Sequence, residues 1–178
     1  MTKDHDSKPR LETERLTLRP LAAEDAAPMA TLADDIGVAR MTTAIPHPYE
    51  RDMAEGFIER MSQTDPRREV TFAVQALEGD FMGVLGIHPR DGFAAELGYW
   101  IGRPYWGQGY MTEAVSAALA WAGGPWGRRA LVSGHFADNE ASGRVLTKSC
   151  FLYTGEVEPR FSLARGEEAE TRMMVWLA

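Results

Sequence analysis

Residues 94–122, AAELGYWIGRPYWGQGYMTEAVSAALAWA, carry a strand-like run into a Trp-Gly-Gln-Gly turn that opens directly onto an amphipathic helix. A helix N-terminus leaves backbone N–H groups without intrahelical partners and carries partial positive charge. Gly107 and Gly109 let the turn approach an anion with no side chain in the way, so that successive N–H groups converge on one phosphate. The layout predicts an anion site, with room for an extended phosphate-bearing ligand to run back along the preceding strand. The plain alternative is a tight strand-to-helix connection. A dinucleotide turn is excluded: its third glycine is Thr112 here, and the acidic residue expected about 20 positions later is replaced by Arg128 and Arg129. A P-loop is excluded too, because no Gly-Lys-Ser/Thr follows.

Outward from this segment, periodicity supplies the rest of the architecture. Towards the N-terminus, residues 11–21 alternate as a half-buried strand closed by Pro20, and residues 22–41 read as one helix with Met29, Leu32 and Ile36 on its apolar face. A proline-punctuated loop follows, then helical spacing over residues 50–61. Residues 69–87 switch to period two around a Glu-Gly-Asp turn and read as a hairpin, extended by a third strand over 93–101. Beyond the turn come a helix over 110–122 stopped by Gly123, Gly124 and Pro125, a strand over 128–136, a helix over 139–149, a strand over 151–156 and a last strand over 171–178. A meander followed by strand, helix, strand, helix, strand predicts an α/β (α+β) fold: a mixed, largely antiparallel central sheet with helices on both faces.

With 178 residues, no repeat and no linker, the chain is expected to form a single domain over residues 11–178, preceded by a loose tail over 1–10. One cysteine, Cys150, excludes an internal disulfide and a cysteine-rich metal cluster. No apolar run reaches the roughly 20 residues that cross a bilayer, and the opening MTKDHDSKPR lacks the apolar core of a secretion signal, so a cytoplasmic protein without membrane contact is expected. The formal charge of −7 argues against nucleic acid as a partner, which demands a basic face, and leaves a cationic amine or basic protein acceptable. A monomer or homodimer is expected.

Four pieces of the sequence carry a resemblance: TERLTLRPLAAEDA at 13–26, ELGYWIGRPYWGQGYMTEAV at 96–115, DNEASGRVL at 138–146 and KSCFLYTGE at 148–156. In that order they resemble the GCN5-related N-acetyltransferase (GNAT) superfamily, and within it the RimJ/RimL-type branch of ribosomal-protein N-terminal acetyltransferases. The resemblance implies the acyl-CoA N-acyltransferase fold, acetyl-CoA as donor and an amine acceptor, either a protein N-terminus or a small amine. It places the coenzyme pyrophosphate on backbone N–H groups of Gln108, Gly109, Tyr110, Met111 and Thr112 after Gly107. The pantetheine arm then pairs with the strand ending at Ile101 and Gly102, and Asn139 and Ser142 match the branch's Asn-x-x-Ser beside the arm and its sulphur. Trp106 stands where the superfamily pattern has Gln or Arg, and shapes the cofactor mouth. Met111 replaces a small residue and is expected to narrow the pyrophosphate path. Cys150 replaces the glycine of Lys-x-Gly-Phe, which suggests a backbone angle that needs no glycine and a small buried hydrophobe there.

Acetyl transfer from a thioester to an amine asks the protein to hold both reactants, accept one proton and tolerate a departing thiolate. Neutralising a lysine amine at pH 7 costs about 4 to 5 kcal/mol, against about 1 kcal/mol for an α-amine. Glu96 is the first candidate base: it shares a strand face with Gly98 and Trp100, where the glycine leaves open space, and the resemblance supports a glutamate on this strand. Its alternative is an exposed strand residue. His135 is the competitor, because imidazole titrates near neutrality, with a structural histidine as its alternative. Ser142 is placed to donate to the leaving thiolate, Tyr153 offers a second hydroxyl, and Asn139 reads equally as a helix cap. No metal is required. A coenzyme-binding sensor without turnover is the competing function. The acceptor is expected to be chosen by residues 42–49 and a loop over 158–168.

Overall fold

The computed structural model describes residues 8–77, 79–90 and 94–178. Eight strands form one sheet: β1 (Leu11–Glu12), β2 (Leu16–Pro20), β3 (Val70–Ala76), β4 (Phe81–His88), β5 (Ala95–Ile101), β6 (Ala130–Phe136), β7 (Leu152–Ser162) and β8 (Glu167–Leu177). Their order is β1-β2-β3-β4-β5-β6-β8-β7, and every neighbouring pair is antiparallel except β5 with β6. Helices α1 (Ala26–Ala33), α2 (Ile36–Ala39) and α3 (Arg51–Ser62) precede the hairpin β3–β4, while α4 (Tyr110–Gly123) and α5 (Glu140–Lys148) flank β6 in sequence. The expected mixed sheet with helices on both faces is the observed one.

The helix α4 shows why these residues take this form. Met111, Ala114, Val115, Ala118, Leu119 and Ala122 recur at helical spacing, and all six are buried against Phe72, Leu85, Leu97 and Leu131 of the sheet. On the opposite face Ala26 and Met29 of α1 and Ala54 and Ile58 of α3 pack with Ala73, Phe81 and Val84. Trp121 stacks on Trp126 at 4.8 Å and meets Phe72 edge-on.

Three expectations are corrected. Residues 22–41 form two helices, because the Asp35 carboxylate accepts the Gly37 N–H at 2.7 Å and starts α2 afresh, after a 3-10 turn at Ala23–Asp25. Residues 158–168 are not a loop: β7 runs on to Ser162 and turns into β8 within four residues, with Gly166 N–H donating to the Ser162 carbonyl. Pro159 disguised this strand, yet it is tolerated because β7 is an edge, where a missing N–H donor costs no ladder bond. Cys150 is exposed and has φ +66°. It occupies the left-handed position just past α5, where Cys150 N–H bonds Thr147 O and Phe151 N–H bonds Leu146 O, the two bonds of a Schellman end. The backbone there is the one glycine favours.

Of the expected tail, residues 1–7 lie outside the described residues, while Lys8 Nζ donates to the Met61 carbonyl at the end of α3. Glu78 of the expected turn and Phe93 at the expected strand start also lie outside them. No helix among the described residues is long and apolar enough to cross a membrane.

Candidate functional site

The parallel ladder between β5 and β6 holds only Ala95 with Leu131 and Glu96 with Val132, although β5 continues to Ile101 and β6 to Phe136. Beyond that point the strands part, and a cavity of about 850 Å³ opens between them, reaching from Val38 and Met41 to the Gly107–Gly109 turn and α5. Its size suits a small-molecule ligand.

Which backbone groups β5 offers to this cleft follows from its pairing. Gly102 N–H donates to Met82 O on β4, so alternate residues face β4 and Leu97, Tyr99 and Ile101 present their N–H and C=O to the cleft. Leu97 O is taken by Ser133 Oγ at 2.8 Å, and Ile101 O by the Trp106 indole N–H at 2.7 Å. What is left at the parted edge is Tyr99 with both groups and the Ile101 N–H. Gly102 has neither: its carbonyl accepts from Tyr105, and its missing side chain makes room for Leu32 Cδ2, 2.7 Å from where a Cβ would stand.

The turn that follows has Gly107 at φ +73° and Gly109 at φ +80°, the region that glycine enters without steric cost. Nothing lies within 4 Å of a Cβ built on Gly107. The first bond of α4 runs from Glu113 N–H to Gly109 O, leaving the N–H groups of Tyr110, Met111 and Thr112 ahead of it. Met111 itself is buried in the α4-face core, so its side chain does not lie across this path. Gln108 turns its side chain back to Pro104 O at 3.0 Å.

A clamp fixes the turn. Glu113 Oε1 accepts from Thr13 Oγ1 at 2.6 Å and from Arg15 N–H at 2.9 Å, its Oε2 accepts from Arg15 Nε at 2.7 Å, and Arg15 NH1 reaches Gln108 O at 3.0 Å. The Arg15 guanidinium also lies 4.4 Å over the Tyr110 ring. Two separate sequence pieces, residues 13–26 and 96–115, thus meet at one carboxylate, which reading either piece alone does not reveal. On the outer side, Asp35 binds Arg103 with NH2 at 2.7 Å, and Arg103 lies 4.9 Å over Trp106. The Arg103 hydrogen bond is the main cause that holds the Asp35 carboxyl down at about 2.

Across the cleft, Asn139 caps α5 by accepting the Ser142 N–H at 3.2 Å. Ser142 Oγ and the Tyr99 hydroxyl are 2.8 Å apart, and Tyr99 OH also lies 3.1 Å from Ser142 O. Burial pushes the Tyr99 phenol well above its usual range despite the Ser142 bond, so it stays protonated as a donor.

Glu96 and His135 fall on opposite faces of the sheet. Residues paired across the ladder share a face, which groups Glu96, Gly98 and Trp100 with Val132, and places His135 with Leu97, Tyr99 and the α4–α5 side. His135 is buried, with Nδ1 2.8 Å from Phe136 O and Nε2 2.9 Å from the Tyr153 hydroxyl. A carbonyl only accepts, so Nδ1 carries the proton and Nε2 accepts from Tyr153.

On the opposite face the Glu96 carboxylate is held by both terminal guanidinium nitrogens of Arg160, with Arg90 Nε at 3.7 Å. Glu158 completes a quartet, bonded to Arg160 NH2 at 3.0 Å and to Arg90 NH2 at 2.5 Å. Further along, Ser162 Oγ donates to Thr42 O at 2.8 Å and Leu163 N–H to Thr43 O at 3.1 Å. Arg165 binds Arg40 O at 2.6 Å and Asp138 at 2.8 Å, and its guanidinium holds the Asp138 carboxyl below the usual carboxylate range. The two segments expected to choose the acceptor, around residues 42–49 and 158–168, are therefore joined into one wall. His88, opposite Glu96 in the β4–β5 register, also lines the cleft. Sequence reading passed over it, as only the cross-strand register brings it here.

A family model described as an acetyltransferase (GNAT) domain matches residues 15–151. An uncharacterized N-acetyltransferase of Bacillus subtilis, YoaA, is 26% identical over 151 residues, which cover 83% of this chain and 85% of that protein. Among solved structures, a GNAT-family acetyltransferase from Bacillus anthracis superposes with a TM-score of 0.82 at 18% identity, covering 95% of this chain and 98% of that one. RimL, a ribosomal L7/L12 alpha-N-protein acetyltransferase solved in complex with coenzyme A, does so with a TM-score of 0.82 at 16% identity and the same coverage.

Proposed function

Because this chain belongs to the GNAT acetyltransferase family, we propose that residues 11–178 act as one catalytic domain that moves the acetyl group of acetyl-CoA to a primary amine by direct attack. The observation that carries the reading is the parted β5–β6 edge. Its free groups at Tyr99 and Ile101 lead straight to the N-terminus of α4, as an arm ending in a diphosphate requires. The N–H groups of residues 108–112 hold the diphosphate, and the pantetheine amides pair with Tyr99 and the Ile101 N–H. Trp106, already bonded to Ile101 O, forms the rim, and Asn139 borders the arm from the cap of α5.

In the reaction the amine lone pair attacks the thioester carbonyl carbon, the C–S bond breaks, and the amine gives up one proton as the amide forms. The coenzyme leaves as a thiolate. When the Tyr99 hydroxyl, which also reaches Ser142 O, turns its proton to Ser142 Oγ, the serine proton is free to point at that sulphur. The free thiol has a pKa of about 8.5, so a hydrogen bond suffices where full protonation is not forced. Glu96, committed to Arg160 and Arg90, frames the acceptor side, and His135, bonded at both nitrogens, orients Tyr153.

The acceptor is a protein α-amine or a small amine. The protein α-amine is supported by the fold shared with RimL and by the low cost, about 1 kcal/mol, of presenting it neutral at pH 7. Calorimetry with acetyl-CoA, and thiol release during incubation with a panel of N-terminal peptides, polyamines and lysine peptides, test the reading together. Release with at least one amine is expected. Binding without release from any of them would favour the sensor, and no binding would overturn the cleft assignment.

A further inference from the structure

Resting on that reading of the cleft, we infer that His88 accepts the proton released by the attacking amine. The amine approaches from the Glu96 face, since the α4–α5 side of the cleft is occupied by the Tyr99–Ser142 pair and by His135 under Tyr153. On that face the register sets His88 beside Glu96, Gly86 beside Gly98 and Val84 beside Trp100. The glycine pair leaves a floor without side chains next to the point where the strands part.

His88 is the group that overlooks this floor. A Cβ built on Gly98 has only His88 Cε1 within 4 Å, at 3.8 Å. That carbon is bonded to both ring nitrogens, so whatever stands over Gly98 meets the imidazole at its nitrogen end. His88 is exposed and, among the described residues, has no hydrogen-bond or ion-pair partner.

The competing bases are already engaged by other groups. Glu96 spends both oxygens on Arg160, with Arg90 beside it. His135 has one nitrogen protonated against a carbonyl and the other accepting from Tyr153. The charged groups around His88 are Glu96 from β5, Arg90 just past β4, and Glu158 and Arg160 from β7, two of each sign. The proton passes from the nitrogen of the tetrahedral adduct to a ring nitrogen of neutral His88, directly or through one water, and leaves to solvent from this exposed position.

The test compares wild type, His88→Gln and Glu96→Gln with an amine that supports thiol release, from pH 5.5 to 9.5, with acetyl-CoA affinity measured by calorimetry on each. A positioned base contributes about 100-fold or more to rate. His88→Gln is therefore expected to lower kcat about 100-fold, to lose the fall in rate towards acid and to keep its acetyl-CoA affinity. Added imidazole restores part of the rate in His88→Ala, and the acid limb persists in Glu96→Gln. A His88→Gln rate within twofold of wild type, a change confined to the KM of the amine, or loss of the acid limb in Glu96→Gln alone would each overturn the role of His88 while the acetyltransferase reading stands. Wild type inert towards every amine would remove both.

Discussion

The two halves of the cleft are built from different material. The half proposed for the coenzyme is made mainly of backbone groups drawn from one short stretch, residues 99–112, presented by a strand edge and the N-terminus of α4, with the Asn139 and Ser142 side chains beside it. The half proposed for the acceptor is held by side-chain contacts that span the whole chain: Ser162 with the Thr42 carbonyl, Arg165 with the Arg40 carbonyl and Asp138, Arg160 with Glu96. A backbone cradle tolerates side-chain exchange, so it can recognise a constant ligand with varied sequence. A side-chain wall changes chemistry with every substitution, and is the part free to fit a different acceptor.

The sharpest way to break this contrast is Gly109→Val. At φ +80° a β-branched residue costs about 1 to 2 kcal/mol of strain, which the turn relieves by moving its N–H groups off the diphosphate. Acetyl-CoA affinity is expected to fall by about tenfold or more, since 1.4 kcal/mol is a factor of ten. Calorimetry reads this directly. An unchanged affinity would mean that the ligand does not use the cradle.

Arg160→Leu probes the other half. Removing one member of this half-buried quartet leaves Glu96 and Glu158 with Arg90 alone as their cation, at a cost of about 2 kcal/mol after allowing for solvent access. The melting temperature is expected to drop by about 4 to 8 °C. Acetyl-CoA affinity should change less than twofold, because the hydrogen bonds of Arg160 go to Glu96 and Glu158. The double variant Arg160→Leu with Glu96→Leu should recover part of the lost stability, since the buried carboxylate is gone as well. Equal losses of coenzyme affinity and stability would show that the halves are not separable.

The same division explains what could be read in advance. The Gly107–Gly109 turn, the α4 register and the Asn139 cap are local: spacing and residue type within a dozen positions determine them. The Glu113 clamp on Arg15 joins residues 98 apart, and the Thr42–Ser162 bond joins residues 120 apart, so neither leaves a local signature. Ile101 shows the limit most finely. The proposal that the arm runs along this strand needs only its pattern, but Trp106 takes the Ile101 carbonyl and Met82 the Gly102 N–H. The available edge therefore shifts upstream to Tyr99.

Cys150 is a local feature where residue type pointed the wrong way, and it offers the smallest effect. The residue after α5 must take φ +66° so that Phe151 N–H can reach Leu146 O and seat both side chains in the α4-face core. Burial of Leu146 and Phe151 on either side over-determines that angle, which is how a non-glycine residue survives there. Cys150→Gly removes the Cβ strain, about 1 to 2 kcal/mol, against the extra chain entropy that glycine gains when unfolded, a few tenths to 1 kcal/mol. The net expectation is a rise in melting temperature of about 1 to 3 °C with acetyl-CoA affinity unchanged. Thermal unfolding under reducing conditions measures it without interference from thiol oxidation. A fall in stability would mean that the exposed thiol makes a contact worth more than the strain, and that α5 is held by its terminus rather than by its buried face.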